Sequence, residues 1–206
     1  MCRTFGLIPA AGKSRRMGRP KLSLPLGGKT VLESVVSAVT QGGVEKVIVV
    51  IAPGDSELRA LAEQAGAAVV ELPADTAEMR DTIEHGLNWL EKHCQPSADD
   101  GWLLLPADHP CIDQQVVRQL LAAKAAHLER SIVVPTFNSH RGHPTWIAWR
   151  HVTGIRSLQH GLGLNVYLRQ HAEETLEVAV STPSVLWDLD TPEDYHELQI
   201  NYRPCP

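Results

Sequence analysis

The sequence contains no apolar run long enough to cross a membrane. The longest candidate, residues 47–52, has the length of a single β-strand, whereas a helix that spans a bilayer needs about 18 or more consecutive apolar residues. The N-terminus also differs from a secretory signal, because its apolar segment ends at Pro9 and precedes the basic residues. We therefore expect a cytoplasmic protein with no membrane partner.

Cysteine is scarce and scattered. The four cysteines are Cys2, Cys94, Cys111 and Cys205. They form no C-x-x-C pair, which argues against a zinc ribbon or a disulfide framework and agrees with a reducing compartment. His140 and His143 have a loose metal-ligand spacing, but their segment offers no carboxylate or cysteine to complete a zinc set. We interpret Cys111 as a small buried residue and not as a catalytic thiol.

The chain also lacks an excess of basic residues, internal repeats and low-complexity tracts. Its formal net charge of -5 argues against a general nucleic-acid-binding protein, which needs a basic surface. With 43% hydrophobic and 21% charged residues, the composition is that of an ordinary globular protein. We expect one domain over residues 1–206, in which 139–163 leaves the main sheet to cover a substrate and 201–206 form a frayed tail.

Short β-branched runs alternate with longer segments whose apolar residues recur about every 3.6 positions. The predicted strands are residues 4–8, 46–51, 67–71, 102–105, 131–134, 145–149 and 176–180. The predicted helices are residues 30–40, 55–64, 79–93, 114–128 and 162–171, with Asp55 as a cap and a last helix starting at Thr191. This alternation predicts an α/β fold with a mostly parallel sheet, helices on both faces and ligands at the carboxyl ends of the strands.

The clearest chemical signal follows the first strand, in residues 10–21. The cations of this segment are Lys13, Arg15, Arg16, Arg19 and Lys21. No acidic residue occurs before Glu33. Small residues at Ala10, Ala11 and Gly12 let the backbone approach a ligand closely, and successive amides there can cradle phosphate oxygens. On a chain of net negative charge, this pattern predicts an anion-binding loop.

Two common phosphate motifs do not fit this loop. A P-loop ending at Gly12-Lys13-Ser14 would need a glycine separated from Gly12 by four residues, but five residues separate Gly6 from Gly12. Pro9 would also lie inside that loop and would remove an amide donor. The dinucleotide pattern G-x-G-x-x-G is absent from the segment.

Residues 10–21 instead match, without a gap, the signature A-A-G-x-S-x-R-M-G-x-x-K. Residues 103–110 resemble a strand that ends in a metal-binding Asp, 141–144 an R-G-H-P turn, and 188–195 a closing D-I-D-T-P-E-D-L segment. From about residue 4 to 198 the chain resembles the molybdenum cofactor cytidylyltransferase-like (MobA-like and MocA-like) nucleotidyltransferase family. This resemblance implies a three-layer α/β/α, Rossmann-like and glycosyltransferase-A-like fold with a mostly parallel sheet.

The resemblance further implies an enzyme that moves CMP from CTP to a phosphorylated acceptor and releases pyrophosphate, with Mg²⁺ as cofactor. The implied catalytic residues are Lys21, Arg16 and Asp108, with Lys21 neutralising charge on the α-phosphate. The implied nucleotide-binding residues are Pro9, Ala10, Ala11, Gly12, Lys13, Ser14, Arg15, Arg16, Lys21, Met79, Arg80, Thr82 and Asp108.

The implied metal ligands are Asp108 together with Asp188 or Asp190. Carboxylates suit Mg²⁺, which prefers oxygen ligands and usually keeps phosphate oxygens and water around it. An extended backbone places Asp188 and Asp190 on one side while Leu189 points away, so the choice between them stays open. Asp108 considered alone could also be a turn aspartate, and the basic loop favours the metal interpretation.

The implied choice of base rests on Ala11. Family members that use GTP tend to carry a second glycine at this position, and the methyl group of alanine favours a smaller pyrimidine, hence CTP. The implied acceptor-binding residues are Arg141, Gly142, His143 and Pro144.

Molybdopterin is the acceptor that the resemblance favours, with transient contact to a molybdoenzyme or its chaperone as the implied protein partner. The alternatives are transfer to a sugar phosphate or an isoprenoid precursor, guanylyl transfer from GTP, and a non-catalytic nucleotide-binding regulator. The presence of both Lys21 and Asp108 speaks against the regulator, because a sensor needs neither a transition-state cation nor a metal ligand.

Overall fold

A computed structural model of the chain describes residues 2–76, 78–159 and 161–201. The strands are β1 (Thr4–Pro9), β2 (Pro25–Leu26), β3 (Lys29–Thr30), β4 (Lys46–Ile51), β5 (Ala68–Glu71), β6 (Gly101–Leu104), β7 (Ile132–Phe137), β8 (His140–Arg141), β9 (Thr145–Ala148) and β10 (Thr175–Ala179). The helices are α1 (Val31–Gln41), α2 (Ser56–Gln64), α3 (Met79–Cys94), α4 (Gln114–Ala126), α5 (Val152–Arg156), α6 (Leu164–Gln170) and α7 (Pro192–Asn201). Short 3-10 turns cover Trp149–His151, Ala172–Glu174 and Pro183–Leu186.

The main sheet is mixed and mostly parallel. Its strand order is β10-β7-β9-β6-β1-β4-β5, and β8 pairs with β7. β1 is parallel to β4 and β6, β4 to β5, and β7 to β10, whereas β9 runs antiparallel between β6 and β7. The predicted α/β fold is confirmed. The expectation that 139–163 leaves the sheet is wrong for β9, because this strand lies in the sheet's interior.

Alternation along the buried strands explains the three layers. On β4, Val47, Val49 and Ile51 face one apolar cluster, which also receives residues of α1, α2, α4 and α7. Ile48 and Val50 face the opposite cluster, which contains residues of α3, α5 and α6. The side chains on both faces of β4 therefore pack in apolar clusters that include helices, so the sheet lies between two helical layers.

Side-chain caps define where several helices begin. Asp55 accepts a hydrogen bond from the Leu58 amide at 3.0 Å, which confirms it as the cap of α2. The Thr191 hydroxyl accepts from the Asp194 amide at 3.2 Å, and the Asp194 carboxylate accepts from the Thr191 amide at 2.7 Å. This reciprocal pair satisfies two amides at the start of α7 and fixes the segment that carries the preceding acidic residues.

The described part of the chain has no helix with both the length and the apolar character that a membrane crossing requires. Helix α7 ends at Asn201, and the rest of the predicted frayed tail lies outside the described residues.

An ion pair between the partly exposed Arg3 and the buried Asp100 joins the starts of β1 and β6. The Asp100 carboxylate, whose side chain is 5% exposed, accepts from Arg3 Nη2 at 2.7 Å and from the Ser97 amide at 2.8 Å. Burial alone would raise the pKa of Asp100, but the hydrogen bonds from Arg3 and Ser97 outweigh it and lower that pKa to about 2.

We expect Asp100→Asn to lower the free energy of unfolding by about 2 kcal/mol at pH 7. A carboxyl whose pKa is depressed by folding stabilises the fold above its unfolded pKa and loses that contribution as the pH falls through its folded pKa. The wild type and the variant should therefore converge in stability between about pH 4 and pH 2. Urea unfolding across this range checks the prediction, with Asp99→Asn as the exposed control, and a difference that persists at pH 2 would contradict it.

Candidate active site

The basic loop after β1 is held by two apolar side chains. The Ala10 amide donates to the Val50 carbonyl at 2.8 Å and extends the pairing of β1 by one residue. Met17 and Leu22 are then buried at 4% and 5% exposure. Between Ala10 and Met17 the backbone turns at Ser14, whose φ is 46° and whose carbonyl accepts from the Met17 amide at 3.1 Å. The loop is thus fixed by its apolar residues, and all of its cations except the largely covered Lys21 are exposed.

A cavity of about 400 Å³ lies beside this loop, at the carboxyl ends of β1 and β6 and near the start of α3. Its lining comprises Pro9, Ala10, Ala11, Gly12, Ser14, Arg15, Arg16, Lys21, Leu22, Thr76, Glu78, Met79, Thr82, Pro106, Ala107, Asp108 and Asp190. We call it the loop cavity. It brings together the predicted nucleotide-binding residues except Lys13 and Arg80, and the sequence signature did not identify Leu22, Thr76 or Glu78.

Lys13 and Arg80 have other surroundings. Lys13 borders the opposite side of the loop and pairs with Asp75 at 2.6 Å, with both side chains at least half exposed. Arg80 donates to Glu84 at 2.7 Å and to the carbonyls of Arg156 and Gln159 at 3.0 Å each. The Arg80 guanidinium therefore fastens α3 to the end of α5 and lies outside the loop cavity that was expected to include it.

Lys21 lies between two carboxylates. Its ammonium donates to Asp108 at 2.8 Å, to Asp190 at 3.1 Å and to the Leu189 carbonyl at 2.7 Å, and its side chain is 12% exposed. Arg16 contacts the other oxygen of Asp190 at 2.7 Å. Two cations and two anions thus form one cluster of zero net charge. Lys21 was expected to contact the α-phosphate, and its contacts with Asp108 and Asp190 were not predicted.

Asp188 does not join this cluster. Its side chain is exposed and lines a different cavity, while Leu189 is fully buried, as the alternation predicted. In the described residues, no group of three or more His, Cys, Asp or Glu side chains is arranged to hold a metal ion. The pair formed by Asp108 and Asp190 nevertheless fits Mg²⁺, which is commonly bound by one or two carboxylates together with substrate phosphates and water.

A second and larger cavity, of about 720 Å³, opens on the other side of the carboxylates. We call it the helix cavity, because α5, α6 and the segment between them contribute to its wall. Its apolar lining includes Ile83, Leu104, Val134, Ile155, Leu158, Leu164 and Leu168. The lining also includes four arginines, which are Arg16, Arg80, Arg141 and Arg169. The two cavities share Arg16, Met79, Pro106, Asp108 and Asp190, so they meet at the charge cluster.

The turn of residues 141–144 contributes unequally to the helix cavity. Arg141, Gly142 and His143 line it, whereas Pro144 is buried and does not. The Gly142 amide donates to a backbone carbonyl at 2.9 Å, and the His143 amide donates to the Val185 carbonyl at 2.9 Å. A Cβ on Gly142 would come within 2.2 Å of that Val185 oxygen, so only glycine fits there. Pro144 is thus the one residue of the predicted acceptor-binding turn that does not line the helix cavity.

Two buried histidines adjoin Asp108. The rings of His109 and His143 meet edge to face, with centroids 4.7 Å apart. Burial lowers the pKa of both imidazoles, and burial together with the neighbouring His109 brings the pKa of His143 to about 4. Both imidazoles are therefore neutral at pH 7, and neither adds charge to the cluster.

Cys111 carries no catalytic signature. Burial raises the pKa of its thiol to about 11, so the thiol is protonated at neutral pH. This agrees with the interpretation of Cys111 as a packing residue.

A cationic loop at the carboxyl end of a central parallel strand, with Lys21 and Arg16 paired to two carboxylates beside a cavity, is the arrangement expected of a nucleotidyltransferase. A family model described as MobA-like NTP transferase domain matches residues 6–175. The chain belongs to that family, and the resemblance noted in its motifs is confirmed.

Individual relatives agree with this placement. The chain is 30% identical over 190 residues to a 2-C-methyl-D-erythritol 4-phosphate cytidylyltransferase from Salmonella arizonae, covering 88% of this chain and 76% of that protein. The structure of Rv0371c from Mycobacterium tuberculosis H37Rv superposes with a TM-score of 0.81 at 24% identity, covering 97% of this chain and all of that one. A structure of the same mycobacterial protein in complex with manganese has a TM-score of 0.70 at 23% identity, over 97% of this chain and all of that one.

Proposed function

We propose that this nucleotidyltransferase transfers CMP from CTP to a phosphorylated small molecule and releases pyrophosphate. The observation that carries the proposal is the meeting of the loop cavity and the helix cavity at Arg16, Asp108 and Asp190. Two substrates bound in the two cavities would place their reacting groups against the same charged side chains. Transfer between two bound substrates needs this kind of shared wall.

The nucleotide belongs in the loop cavity. Gly12, Ser14, Arg15 and Arg16 line it, and backbone amides and guanidinium groups suit the oxygens of a triphosphate. The start of α3 contributes Met79 and Thr82 to the same cavity, and a base would lie against them. The methyl group of Ala11 narrows this cavity, which supports the choice of a pyrimidine.

The chemistry then requires little covalent participation by the protein. An oxygen of the acceptor phosphate attacks the α-phosphorus in line, and the bond from that phosphorus to the oxygen bridging the α- and β-phosphates breaks, so pyrophosphate leaves. Lys21 and Arg16 face this point and neutralise the charge that spreads over the phosphoryl oxygens. Unit charges 4 Å apart interact by roughly 4 kcal/mol at an effective dielectric constant of 20, so two such contacts suffice for a large acceleration.

A divalent ion, which we propose to be Mg²⁺, would be held by Asp108 and Asp190 together with nucleotide phosphate oxygens. When bound, the ion supplies charge neutralisation and a template for the triphosphate. Of the two acidic residues near the C-terminus, Asp190 is the better candidate, because Lys21 donates to both Asp190 and Asp108. Asp188 lines only the helix cavity and does not line the loop cavity.

Two acceptors have separate support. The curated relatives are named for 2-C-methyl-D-erythritol 4-phosphate, which favours an isoprenoid-precursor phosphate over molybdopterin. The size and apolar lining of the helix cavity favour an acceptor with a bulky ring system, and molybdopterin has one. In both cases Arg141 and Arg169 are the candidate partners of the acceptor phosphate, and Arg141 would have to share its guanidinium with Glu177, to which it donates at 2.7 Å.

A matrix of reactions tests the proposal. Each of the four nucleoside triphosphates is incubated with Mg²⁺ and with methylerythritol phosphate, molybdopterin or a sugar phosphate, and pyrophosphate release is measured. CTP with one acceptor should exceed the other triphosphates by at least about tenfold. Release of pyrophosphate with GTP alone would contradict the choice of base, and tight CTP binding without release in any reaction would favour the regulator.

Gly12 offers a sharp test of where the nucleotide lies. A Cβ on Gly12 would meet no protein atom within 4 Å, so Gly12→Ala should keep or slightly raise the free energy of unfolding. Because the added methyl group projects into space that the triphosphate needs, we expect the KM for CTP to rise at least about tenfold.

Gly142→Ala is the matched control for this substitution. Its Cβ would collide with the Val185 carbonyl, so it should lower the free energy of unfolding by about 1–3 kcal/mol. Thermal unfolding and initial rates at varied CTP distinguish the two variants. An unchanged KM for CTP in Gly12→Ala would move the nucleotide out of the loop cavity.

A further inference from the structure

Three buried side chains and the half-exposed Glu174 form a hydrogen-bonded network that includes Tyr167 of α6. Tyr167 Oη lies 3.0 Å from His151 Nδ1, and His151 Nε2 lies 2.8 Å from Ser131 Oγ. Ser131 Oγ donates to Glu174 at 2.6 Å. His151, Tyr167 and Ser131 are 5%, 7% and 0% exposed. This hydrogen-bonded network links α6 to the turn after β9, the start of β7 and the turn before β10.

Glu174, at the end of this hydrogen-bonded network, determines the direction of every hydrogen bond in it. An ionised Glu174 only accepts, so the single proton of the Ser131 hydroxyl points to it. The Ser131 oxygen therefore accepts from His151 Nε2–H. A neutral imidazole then has its lone pair on Nδ1, which accepts from the Tyr167 hydroxyl. Burial lowers the pKa of His151, which agrees with a neutral ring.

This direction excludes a hydrolytic role. Ser131, His151 and Glu174 have the composition of a nucleophilic triad, but here the serine donates to the carboxylate and the histidine donates to the serine. The imidazole therefore accepts no proton from Ser131, and the hydroxyl has no exposed surface from which to attack a substrate. The network must act on the position of the elements that it joins.

Helix α6 is the element with a functional face. Leu164, Asn165 and Leu168 line the helix cavity, while Tyr167 points to the neighbouring face and anchors the helix. The anchor is tight, because a Cβ on Gly154 of α5 would come within 2.5 Å of the Tyr167 hydroxyl oxygen. The Tyr167 ring also stacks on His171, with centroids 4.1 Å apart.

We propose that His151 and Tyr167 are positioning residues that hold α6 as the acceptor-side wall of the helix cavity. Neither residue lines the loop cavity or touches the carboxylates. The inference rests on the proposed function in one respect, since it assigns the acceptor to the helix cavity. Loss of the Tyr167 hydroxyl should therefore affect the acceptor and leave the nucleotide unaffected.

Two measurements test the network without any acceptor. In long-range ¹H–¹⁵N spectra of histidine-labelled protein, assigned with His151→Gln, His151 should be the Nε2–H tautomer. In Tyr167→Phe, amide hydrogen exchange of α6 should accelerate about fivefold or more, whereas α4 should be unchanged. A Nδ1–H tautomer, or exchange in α6 equal to that of the wild type, would overturn the proposal.

Kinetics with CTP and the accepted phosphate test the functional part. Tyr167→Phe should raise the KM for the acceptor about fivefold, with the KM for CTP unchanged and kcat within about twofold. Tyr195→Phe is the matched control, because it removes another buried hydroxyl, which donates to the Pro25 carbonyl at 2.6 Å away from α6. Equal effects of the two variants, or equal rises in both KM values, would contradict a positioning role.

Glu174 supplies a conservative rescue. Glu174→Gln keeps an oxygen that accepts from Ser131, so its acceptor KM should stay near that of the wild type, whereas Glu174→Ala should resemble Tyr167→Phe. If the wild type used none of the acceptors, the proposed function would fail, and the tautomer and hydrogen exchange would still decide whether the network holds α6.

Discussion

Replacing Lys21 with methionine is expected to lower kcat about 10³-fold while raising the KM for CTP less than about tenfold. The ammonium lies 2.8 Å from Asp108 and 3.1 Å from Asp190, at the junction of the two cavities. Its charge stabilises a reaction in which negative charge spreads over the phosphoryl oxygens, so the loss falls mainly on the transition state. Methionine keeps the volume of the lysine stem, which limits the change to the charge and its hydrogen bonds.

Removing this charge also leaves the two carboxylates facing each other without the cation between them. The free energy of unfolding of Lys21→Met should therefore be measured beside its rates, in urea at neutral pH. Lys29→Met is the control, because Lys29 is exposed and contacts only Ser37 in the described structure. A loss of CTP affinity as large as the loss of kcat would assign Lys21 to ground-state binding.

Asp108→Asn is expected to abolish the magnesium-dependent activity, with a fall of at least about 10³-fold, while the fold is retained. The amide keeps the size of the carboxylate but loses the negative charge that a divalent cation and Lys21 both require. At saturating CTP the residual rate should respond much less to the magnesium concentration than the wild-type rate does. Rates across a magnesium titration, with circular dichroism to check the fold, measure this.

The neighbouring acidic residues make this experiment more discriminating. Asp190→Asn should resemble Asp108→Asn, because both carboxylates share Lys21. The Asp188→Asn variant should retain most of the magnesium response, since the exposed Asp188 lines only the helix cavity. If Asp188→Asn proved the more damaging variant, the metal ligands would be Asp108 and Asp188.

Much of the fold could be predicted from local patterns. The β-branched runs and the 3.6-residue periodicity located the central strands and most helices to within a few residues, because a strand buried on both faces and a helix covering it each impose their own spacing. The caps at Asp55 and Thr191 were readable because their hydrogen bonds join residues only three positions apart. β9 was found as a strand, but its antiparallel insertion between β6 and β7 depends on pairing between distant segments.

The site could be predicted in its residues but less well in its contacts. The loop signature identified most of the loop-cavity lining. The ion pair of Lys21 with Asp108 joins residues 87 positions apart, and that of Lys21 with Asp190 joins residues 169 apart. No local sequence pattern can therefore predict these contacts. Arg80 is a similar case, because its carbonyl partners lie 76 and 79 positions away, at the end of α5 and just after it, and the periodicity did not predict α5.

Two kinds of residue have separate roles in the basic loop, because the buried Met17 and Leu22 fix its backbone and the charged residues do not. These two side chains hold the backbone in its path, and the charged residues between and before them contribute almost nothing to the apolar core. Exchanging an exposed cation such as Arg15 or Arg19 therefore costs the fold little. Selection, or a protein engineer, can therefore change how strongly this surface holds a triphosphate without first having to restabilise the protein that carries it.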